Sequence, residues 1–193
     1  MFKKLLWFIF LISLCTQWRL SWGENYNFRY TRWGMTKEEV IASEIKTDPI
    51  EKNEDSIKYN TQILGKNVEL VYLFTQNKLI GSSYKLYENY LNSKHFIQTY
   101  FELKEALTQK YGEPNKETTN WLNDTYRNVR NKWGLALSLG HLEYFVLWKT
   151  QSTTIECSLR ADNLNVLCLV EYWSIEFSHL LEQANKADKL DPF

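Results

Sequence analysis

Alternation of apolar and polar side chains along short segments is the feature that most constrains the fold of this chain. Every second residue over 57–63 favours a buried environment, which is typical of a strand with one buried face. A turn at 64–67 leads into a second strand pattern over 68–74, and a turn at 76–77 leads into a third over 79–86. Consecutive strands joined by such short turns predict an antiparallel meander.

The second half of the chain repeats this pattern. Leucines alternate over 135–139, a turn follows at 140–141, and alternation resumes over 142–148, which predicts a hairpin. Segments 155–159 and 166–172 predict a second hairpin. The sequence therefore predicts about four strands in this half.

Three segments carry helical signals. Thr36 and Glu39 have the spacing of a capping box and predict a helix over about 37–45. An apolar stripe at helical spacing predicts a longer helix that ends at Tyr111, because Gly112 follows it. A last amphipathic helix has four residues on its apolar side, namely Phe177, Leu180, Leu181 and Ala184.

The order of these elements indicates the fold class. Runs of strands joined by short turns and interspersed with helices predict an α+β fold, an antiparallel sheet with helices on one face. A helix followed by a meander occurs at about 36–86 and again at about 93–173, which suggests two tandem structural repeats. Residues 113–133 are polar and have no period, so no element is predicted there.

The opening residues predict export. Lys3 and Lys4 precede an uncharged run over 5–15, and these are the two parts of a secretory signal. The run is shorter than the ~20 apolar residues of a membrane-spanning helix. We therefore expect a cleavable signal peptide over 1–23, no stable transmembrane anchor, and a single α+β domain over 24–193 in the periplasm or outside the cell.

Cys15 leaves an alternative open. The segment ending at Cys15 resembles the lipobox of bacterial lipoproteins, in which this cysteine is lipidated and holds the protein at a membrane. That motif prefers a small residue where Leu14 stands. Removal of Cys15 with the signal is therefore the first expectation, and lipidation with association to the outer membrane is the second.

Charge argues against nucleic acid as a partner. The chain has 23 basic and 23 acidic residues, and loss of Lys3, Lys4 and Arg19 leaves 20 basic residues and a net charge of about −3. Lysine and glutamate are scattered, without the basic stripe that neutralises phosphates. No nucleic-acid partner is predicted.

Two cysteines remain after the signal. Cys157 and Cys168 flank a strong turn signal over 161–164, and a loop centred there places them directly opposite each other on neighbouring strands. In an oxidising compartment such a pair can form a cross-strand disulfide. The first prediction is this disulfide, and two reduced thiols in the core are the alternative.

Motifs for catalysis, cofactors and metals are absent from the sequence. His95, His141 and His179 lie far apart, and only Glu143 shares a predicted strand face with one of them. There is no nucleophile elbow or glycine-rich phosphate loop. No catalytic residue, cofactor or metal ligand is predicted.

Aromatic side chains are unusually frequent, at 16% of the chain. Trp121 and Tyr126 lie in or near connections, where large rings can form a binding surface. The first interpretation is that these rings cover the core of a small sheet domain, and the binding surface is the alternative.

The helix starts and stops also carry a resemblance. The segments 33–40, 103–114 and 172–174, with Trp148 between the last two, resemble a recurrent pattern in uncharacterised bacterial exported proteins and lipoproteins. The order of elements is similar to that of small outer-membrane-assembly lipoproteins and of the β-lactamase-inhibitor-protein fold. The resemblance implies helices packed on one face of an antiparallel sheet.

These observations favour a non-enzymatic envelope protein that binds another envelope protein through its sheet face or its aromatic loops. A secreted hydrolase with a dispersed active site and a carrier of a small ligand or lipid are the alternatives. An enzyme should have a cleft in which acids or a histidine converge, whereas a binding module should have a flat apolar patch. The sequence does not specify an oligomeric state.

Overall fold

One antiparallel sheet organises the protein, which a computed structural model describes at residues 26–44, 48–88, 90, 92–180 and 183. Within these residues the sheet has eight strands in the order β1-β2-β3-β4-β8-β7-β6-β5. The strands are β1 (Glu51–Lys52), β2 (Ser56–Ile63), β3 (Lys66–Thr75), β4 (Lys78–Leu86), β5 (Lys116–Trp121), β6 (Leu142–Lys149), β7 (Thr153–Asp162) and β8 (Asn165–Ser174). The predicted meander over 57–86 is confirmed as β2, β3 and β4.

Helices cover one face of this sheet. They are α1 (Lys37–Ser43), α2 (Lys94–Tyr111) and α3 (Trp133–Ser138). Tyr100 of α2 packs on Tyr144 of β6, with 5.2 Å between ring centroids, and Val40 of α1 and Leu137 of α3 are fully buried in the same core. The predicted α+β class, with an antiparallel sheet, is confirmed.

The first helix begins as its sequence predicts. The Thr36 side chain accepts a hydrogen bond from the Glu39 backbone N–H at 3.3 Å, and the Glu39 carboxylate accepts one from the Thr36 N–H at 2.8 Å. This reciprocal pair is the capping box. The helix ends at Ser43, and residues 45–47 lie outside the described part of the chain.

Arg29 and Glu44 close the end of α1. The guanidinium donates two hydrogen bonds to the Glu44 carboxylate, at 2.7 and 3.0 Å, and the Tyr72 hydroxyl donates a third. Burial works against the Arg29 charge, yet hydrogen bonds to Glu44 and Tyr84 raise the pKa of Arg29 above its ordinary value. Since Glu44 is almost fully buried, this pairing satisfies a carboxylate that would otherwise be costly.

The prediction of a strand over residues 135–139 is wrong, because this segment forms helix α3 and the turn after it. The Leu139 N–H donates to the Leu135 carbonyl at 3.0 Å, and these two leucines are 42% and 41% exposed while Leu137 is buried. A five-residue alternation fits a short helix as well as a strand. The place beside β6 is taken by β5, a strand in the segment that the sequence left unassigned.

The turn between β7 and β8 is displaced by one residue from its predicted position. Asn163 and Leu164 have φ angles of 48° and 67°, the left-handed values that both central residues of a type I′ hairpin turn need. The two-residue loop is therefore 163–164, and Asp162 pairs with Asn165. A left-handed leucine is uncommon, which explains why composition alone misplaced the turn.

The predicted last helix is described only at its start. Residues 178–180 are helical and Leu180 is buried, whereas Leu181 and Ala184 lie outside the described residues. The predicted signal peptide, with Cys15, also lies outside them. No helix in the described ranges combines the length and apolarity that a membrane span requires.

Candidate functional site

The face of the sheet opposite the helices is a candidate surface. No described helix packs on it, and strand alternation places side chains from β2 to β5 there. One row of paired residues crosses seven strands, namely Lys58, Val71, Ser83, Glu171, Glu156, Leu147 and Lys116. We call this surface the uncovered face.

Apolar side chains occupy much of the uncovered face. An antiparallel sheet with one solvated face usually has polar residues on that face. Here the three strands β3, β6 and β8 instead place half-buried apolar residues on it, namely Val71, Leu73, Phe145, Leu147, Leu167, Leu169 and Trp173. These residues form separate groups on the face, because Gly81, Ser83 and Lys85 of β4 and Glu156, Ser158 and Arg160 of β7 lie between them. Exposed apolar groups are often found at interaction sites.

Two carboxylates lie between these apolar groups. Glu156 of β7 and Glu171 of β8 are directly opposite each other, so their Cα atoms are ~5 Å apart. Burial raises the pKa of both carboxyls, and the charge of Glu156 raises the pKa of Glu171 further while Arg160 lowers it. Like charges in directly opposed positions destabilise a sheet.

The carboxylate pair has no basic partner at salt-bridge distance. Among the described residues, no salt bridge reaches Glu156 or Glu171. Lys58, at one end of the row, is bonded to Glu51 at 2.9 Å, and Lys116, at the other end, lies 6.0 Å from the centre of the Phe145 ring. The centre of the uncovered face therefore has two carboxyls without a salt bridge among the described residues; Arg160 lies on the same face, and lysines lie at the ends of the row.

Cys157 and Cys168 are not directly opposite each other, so the predicted register is wrong. Cys157 pairs with Val170 and Cys168 with Leu159, because the turn lies one residue later than predicted. The two cysteines are diagonal neighbours in the core, and both are free thiols. Diagonal positions are ~7–8 Å apart, beyond the usual Cα separation of a disulfide, so the structure gives no support to the predicted bridge.

Burial keeps these thiols unreactive. It raises the pKa of Cys168 to about 12 and the pKa of Cys157 well above its ordinary value. Because the thiolate is the nucleophilic form, neither residue is suited to catalysis.

The histidines lie in separate surroundings. His95 packs edge-on against Tyr90, with ring centroids 5.6 Å apart, and His141 stacks on Tyr126 at 6.1 Å. His179 is close to the Glu176 carbonyl, at 3.1 Å. Nowhere in the described ranges do three or more His, Cys, Asp or Glu side chains form a group that could hold a metal ion.

Clefts on the described surface include three with volumes of about 330 to 460 Å³. The first, about 360 Å³, is lined by Trp121, Arg127, Asn128, Arg130 and Trp133. The second, about 330 Å³, lies over β5, β6 and β7 and includes Lys116, Glu143 and Arg160, and the third, about 460 Å³, includes Ile50, Glu69 and Tyr87. Neither Glu156 nor Glu171 lines any of these three clefts.

Comparison with known proteins gives no relative. No family model matches the chain, and no curated protein or solved structure matches it.

The carboxylate pair was not predicted from the sequence, although the strand alternation around each glutamate contains a signal for it. Glu156 stands between Ile155 and Cys157, and Glu171 stands between Val170 and Tyr172. Each glutamate therefore points away from a buried strand face. The register of β7 and β8 places the two carboxylates opposite each other. That register depends on the position of the turn, which the sequence predicts one residue too early.

Proposed function

We propose that the chain is a non-enzymatic exported protein of the cell envelope, and that its uncovered face binds another protein. The apolar groups around the carboxylate pair support this proposal. Protein interfaces are enriched in aromatic residues and have a polar rim. The uncovered face has Trp173 and Phe145 among its apolar residues and Lys58 and Lys116 at the ends of its central row, and it differs from that plan in having a carboxylate pair at its centre.

The carboxylate pair defines the chemistry of the partner. The partner presents a lysine or arginine to Glu156 and Glu171, with apolar side chains around that cation. Such a cation relieves the repulsion between the two carboxylates, and the apolar surroundings exclude water and strengthen the ion pair. An acidic partner surface would be repelled, so the pair also gives specificity.

The alternatives have less support. A glycoside hydrolase needs two carboxylates on either side of a bound sugar, whereas Glu156 and Glu171 are adjacent on one sheet face and line none of the three clefts described above. A lipid carrier needs an apolar cavity, and the three clefts described above, which all include charged residues, do not provide one. The export signal over 1–23 and the two tandem repeats belong to this proposal as expectations from sequence.

The test uses the tagged chain as bait in the envelope fraction of the source cells. Three baits are compared: wild type, Glu171→Lys, and Glu105→Lys as a control. Glu105 is exposed on α2, in the helix layer, so its variant has the same change of charge on the other side of the protein. Glu171→Lys should fold, because the new lysine can pair with Glu156.

The proposal expects one protein that binds wild type and Glu105→Lys and that is lost with Glu171→Lys. Loss of one member of a buried charge pair weakens an interface by ~30-fold or more. Added salt should slow association with wild type. A partner that binds all three baits equally, or one that prefers Glu171→Lys, contradicts the proposal.

A further inference from the structure

The cleft beside the end of β5 is separate from the uncovered face. Trp121, the last residue of β5, pairs with the buried Leu142 and points to the helix side of the sheet. Trp133 begins α3, which packs on that same side. The cleft between them has a volume of about 360 Å³, at the small end of the range for small-molecule sites.

Two indole rings form the walls of this cleft. The rings of Trp121 and Trp133 meet edge to face, with centroids 5.7 Å apart and planes at 68°. The Trp133 indole N–H donates to the Arg127 carbonyl at 3.1 Å, which fixes the orientation of that ring. Both tryptophans also pack against the core, so the aromatic corner is formed before any ligand arrives.

The charged groups of the cleft are all basic. The Arg130 guanidinium lies 5.8 Å from the centre of the Trp133 ring, and within the described residues no carboxylate forms a salt bridge with it. Arg127 contacts Asp124 at 3.2 Å, but these side chains are 58% and 70% exposed. Exposed ion pairs of this kind contribute little to the free energy of folding, so Arg127 can exchange Asp124 for a ligand.

We propose that this cleft binds a small planar anion, such as an aromatic carboxylate, whose ring packs on the two indoles and whose charge lies between Arg127 and Arg130. Arginine presents a planar set of N–H donors that matches a carboxylate, often with two parallel hydrogen bonds. Aromatic rings prefer offset-stacked or edge-to-face contacts, and the two walls offer both a face and an edge. The Asn128 amide adds a further polar group at the rim.

The first test is a titration with 2-naphthoate, followed by NMR of the tryptophan indole N–H groups. The signals of Trp121 and Trp133 should shift, and that of Trp173, on the uncovered face, should not. The neutral analogue 2-naphthamide keeps the rings but lacks the charge. It should bind about tenfold more weakly or worse, because a hydrogen bond to a charged group is lost.

The second test compares two arginine variants. Arg130→Gln should weaken 2-naphthoate binding about tenfold or more and bring it close to 2-naphthamide binding. Arg160→Gln is the matched control, because Arg160 lies on β7 in a different cleft. Both arginines are exposed, so neither variant should impair folding.

Three outcomes would overturn the proposal. These are equal affinity for 2-naphthoate and 2-naphthamide, unchanged binding by Arg130→Gln, and shifts confined to signals outside the cleft. The result is independent of the uncovered face, since Arg130→Gln should leave capture of the envelope partner unchanged.

Discussion

Gly81→Ala tests the packing of the uncovered face at its largest side chain. A Cβ at residue 81 would lie 2.6 Å from two carbons of the Trp173 ring and 3.3 Å from the Tyr172 carbonyl oxygen. Non-bonded carbons are ordinarily ~3.5–4.0 Å apart, so the ring must move by ~1 Å. Gly81 and Trp173 are directly opposed on β4 and β8, the pair that joins the two halves of the sheet.

The magnitude follows from two opposing effects. Overpacking of this kind costs ~1–3 kcal/mol, and the lower entropy of alanine in the unfolded chain returns ~0.4–1 kcal/mol. The expected loss in the free energy of unfolding is ~1–2 kcal/mol. For a chain of this size that loss lowers the melting temperature by ~2–8 °C.

The assay is thermal unfolding followed by circular dichroism, arranged as a double-mutant cycle. Gly81→Ala is measured in the wild-type chain and in a Trp173→Leu chain, where the ring is absent and the penalty should disappear. Ser83→Ala, two residues along the same strand and on the same face, is the control and should change stability by less than ~0.5 kcal/mol. An equal penalty in both backgrounds would refute the reasoning, as would no penalty in the wild-type chain.

Three further predictions concern buried polar groups. Glu156→Gln should raise the free energy of unfolding, measured in urea, at pH 7 but not at pH 3.5. Because the pKa of Glu156 is raised in the folded state, that state holds the proton more tightly and the wild-type chain loses stability as pH rises through the carboxyl range. An equal gain at both pH values would contradict this. In the absence of reductant, a thiol reagent should label Cys157 and Cys168 in the denatured chain but not in the folded chain, as measured by mass spectrometry. Cysteines that stay unlabelled in the denatured chain would instead reveal a disulfide. Glu44→Gln should lower the free energy of unfolding by ~2–4 kcal/mol, somewhat less than the loss of a fully buried ion pair, because the Arg29 side chain is 25% exposed. A loss below ~1 kcal/mol would contradict a stabilising role for the Arg29–Glu44 pair.

Local patterns in the sequence determined most of the sheet and the two helices with strong signals. Strands β2, β3 and β4 are predicted because alternation continues over seven or more residues and short turns separate the runs. Helix α2 is predicted by its apolar stripe and by Gly112, whose φ of +82° suits glycine. These signals depend on a few neighbouring residues, so they survive without tertiary context.

Short or polar segments were decided by tertiary contacts. Residues 116–121 form β5 because β6 offers them a free edge, although their own composition has no strand period. Residues 135–139 were free to alternate as a strand or to turn as a helix, and α3 forms where Gly134 lies against the start of α2. A Cβ at Gly134 would be 2.8 Å from the Lys94 nitrogen, so this contact selects glycine.

The sequence by itself thus determined the α+β class and the identity of the core strands, because periodicity is a local property. Only the tertiary structure decided the register of β7 and β8, since a turn with a left-handed leucine at 164 shifted it by two residues. That register separates Cys157 from Cys168 and brings Glu156 opposite Glu171. Residues distant in sequence become neighbours only when a register is fixed, and the candidate site consists of such neighbours.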